Sequence, residues 1–407
     1  MGDGGGGSIR TDPLTARARA RQAVMAFAAA AAAVLIFGWA CAQARAAPGW
    51  SVEHPPVPHV GHADLGSVSC PSPTTCVAVG IGLRRTSSAR SLLSERWNGA
   101  HWTIQPIAKP GYGTLNAVSC SSSSACTAVG IHGTPTGMIP LVERWNGTAW
   151  KPQRILRGQG ALELDGVSCP AKHFCMAVGS SFQTTLALRW NGSGWAPVPT
   201  PKLGEDGGFL TGVSCASSTS CTAVGSNLDG GVDGCTAPLA ERFNGVRWAI
   251  EPTPNLGPCG GFDDATLNDV SCTAATACTA AGFDDPLESS FDLPLLEPWS
   301  ADHWSILKGP DIRSRIDPWG GGGDLLGISC ASRSVCVAVG YLFASGAALP
   351  LVEHRGADGW RAQSPPRRLA DGVLFGVSCP TDRVCMAVGE DDSDGEGTDV
   401  PLAERLS

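Results

Sequence analysis

The stretch Leu115-Asn116-Ala117-Val118-Ser119-Cys120, followed after five residues by Cys126-Thr127-Ala128-Val129-Gly130, decides the fold because it recurs. A phrase of the form L-x-x-V-S-C-x5-C-x-A-V-G starts near Leu65, Leu115, Leu164, Leu210, Leu267, Leu325 and Leu374. Successive first cysteines lie 50, 49, 46, 57, 58 and 49 residues apart. A second phrase follows each copy, as in Glu95-Arg96-Trp97-Asn98-Gly99 with Trp102, or Glu143-Arg144-Trp145-Asn146-Gly147 with Trp150. It returns as Arg189-Trp190-Asn191-Gly192 with Trp195 and Glu241-Arg242-Phe243-Asn244-Gly245 with Trp248. In the fifth and sixth copies it decays to Trp304 and Trp360.

Each unit reads as four strands. V-S-C is the first and x-A-V-G the second, joined by a five-residue turn rich in Ser, Thr and Pro. P-L-x-E-R-W is the third strand. Asn-Gly predicts a type I′ hairpin turn, whose central residues both take positive φ. The fourth strand carries the second tryptophan and ends in P-x-P, where proline suits an outer edge. Four antiparallel strands repeated at this period predict an all-β, seven-bladed β-propeller.

The termini supply a separate argument. The seventh copy stops at Glu404-Arg405-Leu406-Ser407, where W-N-G should come. Its missing fourth strand stands at the other end, in Gly49-Trp50-Ser51-Val52 and Pro55-Pro56-Val57-Pro58. Residues 49–58 are therefore expected to pair with the third strand of the last blade and close the ring. A single domain over 48–407 follows, and a monomer is expected.

The 17 cysteines sort by position. Fourteen form the pairs Cys70/Cys76, Cys120/Cys126, Cys169/Cys175, Cys215/Cys221, Cys272/Cys278, Cys330/Cys336 and Cys379/Cys385. Each pair falls at the facing ends of two adjacent strands, which suits a disulfide. Two thiols per unit without a recurring histidine do not make a four-ligand zinc site. Cys235 and Cys259 lie in loops expected on one face, and an eighth disulfide is expected there. Cys41 belongs to the leader.

That leader, residues 1–47, has a basic start (Arg10, Arg17, Arg19, Arg21), an apolar run from Ala23 to Ala42 and A-x-A sites at 42–46. This is the layout of a cleaved signal peptide. An uncleaved N-terminal anchor is the second reading, and lipidation at Cys41 after a poor lipobox the third. Each places the propeller outside the cell or on its surface. Glycine and proline together make up 82 of 407 residues, and charged residues only 16% against roughly 25% in ordinary domains. A net charge of −8 with five lysines excludes a nucleic-acid footprint.

Two faces should differ. The cysteine turns and Asn-Gly turns share one face and are uniform. The other face collects loops of variable length, where function on a scaffold tends to lie. Its acids include Glu205, Asp206, Asp229, Asp233, Asp263, Asp264, Glu288, Asp292 and a run from Glu390 to Asp399. Asp284, Asp285, Asp391, Asp392 and Asp394 are the candidate ligand-binding acids among these loops. Asn116, Asp165, Thr211 and Asn268, with Leu326 and Phe375, are expected at the mouth of the central channel. The run Glu390–Glu396 invites calcium but lacks the register of a calcium loop, so no cofactor is assigned. His54, His59 and His62 have no carboxylate or thiol frame to make a metal site. The recurrent Glu-Arg-Trp predicts a buried aromatic layer and an edge ion pair. Asn146 and Asn191 match glycosylation acceptors, but the turn code already explains them.

The unit resembles the bacterial neuraminidase repeat, or Asp-box, propellers, including the photosystem II assembly-factor type. There an Asp-Gly turn and a tryptophan lie between strands three and four. Trp97-Asn98-Gly99-Ala100-His101-Trp102 fills that slot, with Asn for the usual Asp. The resemblance implies a propeller. It also implies a range of activities from sialidases and other glycosidases to non-enzymatic assembly factors. Sialidases need a tyrosine nucleophile beside a glutamate, and the two tyrosines, Tyr112 and Tyr341, are expected near connector loops. No G-x-S-x-G or H-E-x-x-H motif occurs. A non-catalytic binding or scaffold module for a protein or glycan is therefore preferred. A glycoside hydrolase using funnel carboxylates is the alternative.

Overall fold

The computed structural model describes residues 49–407 apart from 57–61, 84–89, 108–111, 136, 156–161, 182–183, 229–235, 255, 257–263, 287–291, 301, 308–320, 345, 364–370 and 393–398. The leader, Cys235, Cys259 and Asp394 lie outside the described residues. The rest forms seven four-stranded antiparallel sheets. In the second blade, Gly113–Ser122, Ala125–Thr134, Gly137–Trp145 and Trp150–Pro152 lie side by side in chain order. First strands of successive blades are neighbours around the ring, including the last, Gly372–Thr381, against the first, His62–Ser72. Trp50–Glu53 is the outer strand of the seventh blade. It pairs with Val400–Leu406, Trp50 facing Leu406.

The repeated phrase now has a physical reading residue by residue. In every first strand the register slips by one after the leucine. Leu115 faces Gly130, yet Ala117 faces Val129, so Asn116 is an extra, unopposed residue. The same bulge isolates Gly66, Asp165, Thr211, Asn268, Leu326 and Phe375. A bulge bends a strand and increases its local twist. Beside each bulge the second strand carries glycine, and a Cβ on Gly225 would run into the carbonyl oxygen of Phe209. The V-S-C serine joins blades. Ser119 Oγ accepts the N–H of Cys169 in the next blade at 2.9 Å. Ser69, Ser168, Ser214, Ser271 and Ser329 repeat the bond, each to the first cysteine of the following blade. Ser378 completes the circle by accepting from Cys70 at 2.9 Å.

All seven C-x5-C pairs are disulfides, with Cα atoms 3.9–4.1 Å apart. Each pair lies at the facing ends of the first two strands, as in Cys120 opposite Cys126. The five-residue turn between them is tighter than its length suggests. Strand pairing continues past the cysteines to Ser122 opposite Ala125, leaving two residues at the tip. The second cysteine of each pair is thereby drawn off the turn and into the core. Cys76, Cys126, Cys175, Cys221 and Cys385 are at most 2% exposed, and each packs in the hydrophobic cluster of its blade. Cys175, for example, shares a cluster with Trp190 and Trp195, and Cys221 one with Phe243 and Trp248. Cys175 and Cys221 are thus sealed by the aromatic pair of their blade.

The Asn-Gly hairpins are not type I′. Trp97 faces Trp102, which leaves four residues in the loop, and only Gly99 has positive φ (97°). Asn98 works instead as an acceptor: its Oδ1 takes the N–H groups of Ala100 and His101 at 3.0 Å. Asn146, Asn191 and Asn244 repeat this Asx turn, which needs no left-handed asparagine. Each of these hairpin glycines rests on the cysteine turn of its own blade, as Gly147 does on Ser124. The two turns of each such blade thus share one face.

The aromatic layer is present. Trp97–Trp102, Trp145–Trp150, Trp190–Trp195, Phe243–Trp248 and Trp299–Trp304 stand with ring centroids 5.4–5.9 Å apart. The pairs pack on the preceding blade; Trp97 and Trp102 cluster with Met386, Val388 and Ala403. The expected Glu–Arg ion pair does not form among the described residues. Adjacent residues on a strand point to opposite faces of the sheet, so Glu143 and Arg144 turn toward different neighbours. Arg144 stacks on Trp190 of the next blade at 4.2 Å, and Arg242 on Trp299 at 4.6 Å. Their guanidinium groups also donate to turn carbonyls there, Lys172 and Ala275. The glutamates are buried. Glu95, Glu143, Glu297 and Glu404 are at most 1% exposed, and their carboxyl oxygens have no hydrogen-bond partner among the described residues.

Burial pushes Glu95 and Glu297 up to about 8, and Glu143 and Glu404 to about 7. Asp284 adds to the rise at Glu297. Folded values above unfolded ones mean that the native state binds more protons between about pH 4.5 and 8. The contribution of these groups is complete below the unfolded value and is lost as pH rises through 7 to 8. Thermal melts at constant ionic strength are therefore expected to show a higher midpoint near pH 5 than near pH 8.5. Glu95→Gln is expected to flatten that slope, and an unchanged slope would contradict the assignment. For the bulge, Gly225→Ala is expected to cost about 1–3 kcal/mol in urea unfolding. Gly194→Ala, where an added Cβ meets nothing within 4 Å, is the near-neutral control.

Candidate functional site

Because the bulged residues are surplus to the pairing, they are free to turn inward. Asn116, Asp165, Thr211, Asn268, Leu326 and Phe375, with Gly66, all line one central cavity of 190 Å³. The channel positions expected from sequence are thus brought together. Three of them also tie neighbouring blades. Asn116 donates to the carbonyl of Leu164 at 3.1 Å, Thr211 to that of Leu267 at 2.9 Å and Asn268 to that of Leu325 at 3.0 Å. The disulfides stand apart from this ring. Cys76, Cys175, Cys221 and Cys385, buried between blades, line no part of the channel.

Asp165 is the carboxylic member of the bulged set. Burial, reinforced by Glu163, raises it to about 7, against the opposing hydrogen bond from Asn116 at 3.2 Å. Asp269 also lines the cavity, and burial lifts it to about 6. Its two oxygens are already engaged, Oδ1 by the N–H of Val270 and Oδ2 by the N–H of Ile328. Asp269 therefore occupies the joint that Ser67 makes with Val118 in the first blade.

Around the variable face the acids gather in two groups. In blades five and six, Asp324 rises to about 7 through burial and the charge of Asp292, despite the hydrogen bond from Asn268 at 2.8 Å. Asp292 rises through burial and through Asp285 and Asp264. Tyr341 lies near the end of a second strand, directly opposite Asp324, and burial with the charges of Asp324 and Asp292 raises its hydroxyl. Asp284 and Asp285 end the second strand of blade five, with Asp285 facing Asp264.

The other group spans blades seven and one. Glu390 rises to about 7 through burial and then through Asp399, Asp64, Asp392 and Asp371. Asp64 rises to about 6 through burial and Asp399, with Arg90 pulling the other way. His62 Nδ1 lies 3.4 Å from an Asp399 carboxylate oxygen on this seam. Asp391 and Asp392 follow Glu390, and Asp392 donates its N–H to the Asp371 carbonyl. Asp64, Asp324 and Asp371 were not singled out from sequence. Two of them carry a readable signal, since Asp64 and Asp324 stand just before the leucine of the repeated phrase. Among the described residues, no three His, Cys, Asp or Glu converge in a way that could hold a metal ion.

No protein-family model matches the chain, and no curated protein does. Solved structures do share its fold. A structure of YCF48 bound to a D1 peptide superposes with a TM-score of 0.54 at 12% identity, covering 89% of this chain and 96% of that one. YCF48 from Cyanidioschyzon merolae gives 0.50 at 12% identity, over 88% and 98%. The WD40 β-propeller domain of Doa1 gives 0.52 at 10% identity, over 88% and 97%. At these identities the likeness is one of fold: in architecture the chain is similar to YCF48 and to WD40 propellers.

Proposed function

We propose that the chain is an exported, non-catalytic binding module that holds a cationic segment of a protein partner on its variable-loop face. The observation that carries this reading is the crowding of carboxylates around Glu390, four of which raise its cost of ionisation. Such a cluster is unfavourable alone and is relieved by a bound cation. The similarly folded YCF48 has been solved with a peptide bound, which supports a peptide as the ligand. The neuraminidase-repeat resemblance of the hairpin phrase is part of the same reading. It carries no catalytic set over: the charged neighbours of Tyr341 are the aspartates Asp324 and Asp292.

A hydrolase is the second reading, favoured by Asp165 and its value near 7. Against it, the residues lining the central cavity include one acid besides Asp165. Its other acid, Asp269, is committed to backbone amides.

Peptide arrays of graded charge, a glycan array and a fluorogenic glycoside panel distinguish the two. Lys- and Arg-rich peptides are expected to bind, and to weaken as salt rises above about 0.15 M. Binding is expected to strengthen between about pH 5 and 8, as Asp64 and Glu390 ionise. Glu390→Gln combined with Asp64→Asn is expected to weaken it about tenfold. Glycoside turnover that disappears in Asp165→Asn would replace this reading with the hydrolase.

A further inference from the structure

The joints between blades are not all alike. At the seams where blade two meets three and four meets five, an arginine of one blade covers the third-strand tryptophan of the next. Between blades five and six both partners are changed. Pro298 stands where the arginine should be, and Arg355 stands where the next tryptophan should be. With neither the stacking cation nor the ring present, the seam holds a cavity of 240 Å³ on the cysteine-turn face.

The lining of that cavity is specific in charge. Arg355 and Arg333 both contribute to it, and no acid does, although the chain as a whole carries −8. Arg333 donates to Thr276 Oγ1 at 2.8 Å and so bridges the two cysteine turns. The Arg355 side chain makes no ion pair, hydrogen bond or ring contact among the described residues. Hydroxyl groups of Thr276, Thr279 and Ser332 share the wall, and Pro298 with Trp299 makes it apolar on one side. Two guanidinium groups without a counter-charge in a half-enclosed space are suited to an oxyanion, which each can grip with paired N–H donors.

We infer that the blade five–six cavity is a binding site for a single oxyanionic group, a carboxylate or a sulfate or phosphate ester, with room for a small ring that carries it. The hydroxyls would serve the ring's polar edge and Pro298–Trp299 its apolar face. This site lies on the face opposite the acidic loops and does not depend on the partner proposed for them.

Calorimetric titration of the folded, disulfide-intact protein tests it with glucuronate, glucose 6-sulfate, glucose 6-phosphate, neutral glucose and inorganic sulfate. The charged sugars are expected to bind and glucose is not. Inorganic sulfate binding as tightly as the sugar ester would reduce the site to the anion alone and overturn the ring component. Arg355→Gln and Arg333→Gln are each expected to weaken binding at least about tenfold. Arg355→Trp, which restores the residue type of the second blade, is expected to fill the cavity and abolish binding while raising the melting temperature. Arg361→Gln, an exposed arginine paired with Asp358, is the control and should bind normally. No binding at about 10 mM of any charged probe, or unchanged affinity in both glutamine variants, overturns the site.

Discussion

Seven serine hydroxyls hold this ring together. A propeller blade has no covalent link to its neighbour beyond the chain itself, so the innermost strands need another tie. Here each V-S-C serine accepts the amide of the next blade's first cysteine, and the seventh bond returns to the first blade. Removing one hydroxyl would leave an amide without a partner in the interior, at about 1–3 kcal/mol. The neighbouring disulfide fixes the same cysteine to its hairpin and, through Cys76 or Cys385, to the core of the blade. The two constraints meet at one residue, so bending a hairpin would also pull on the joint between blades.

Much of the architecture was legible because repetition multiplies a weak signal. One V-S-C proves little, but seven at a steady period leave few folds to consider. The displaced strand at residues 50–53 was equally legible, since the last unit visibly lacked one. What could not be read was the direction of side chains at seams. Glu-Arg-Trp looks like an ion pair beside a ring, yet strand periodicity sends Glu143 and Arg144 to opposite neighbours. The serine and glycine of the phrase were visible but unexplained, because their reasons lie in the adjacent blade and the facing strand. Pairing of the cysteines was plain from spacing, whereas the depth of Cys175 and Cys221 depended on aromatic rings some 15 to 27 residues further on. Asn-Gly suggested a two-residue turn; the facing tryptophans made it four.

The candidate site shows the same division. Asn116, Asp165, Thr211 and Asn268 were found from their place in the repeat, and the bulge explains why they converge. Asp64 and Asp324 stayed hidden. They differ from their counterparts Thr114 and Phe209 in single residues that no composition count reveals. Their importance arises from neighbours distant in sequence, such as Asp399 beside Asp64. Departure from the repeat proved as informative as adherence to it. The proline and arginine of the fifth and sixth units read as decay in the sequence, and in three dimensions they open a charged cavity.

The strand at Trp50–Glu53 also sets an order of events. It is made early, and its partner Val400–Leu406 some 350 residues later, so no ring can close until that distant segment has been synthesised. Every hairpin, by contrast, can oxidise as soon as it emerges, because its two cysteines are only six residues apart. Assembly therefore divides into many local steps and one final long-range one. Until that step, the first blade's neighbour is missing and the outer edge of the last sheet is open. A growing chain of this design is a string of finished hairpins waiting for its own beginning.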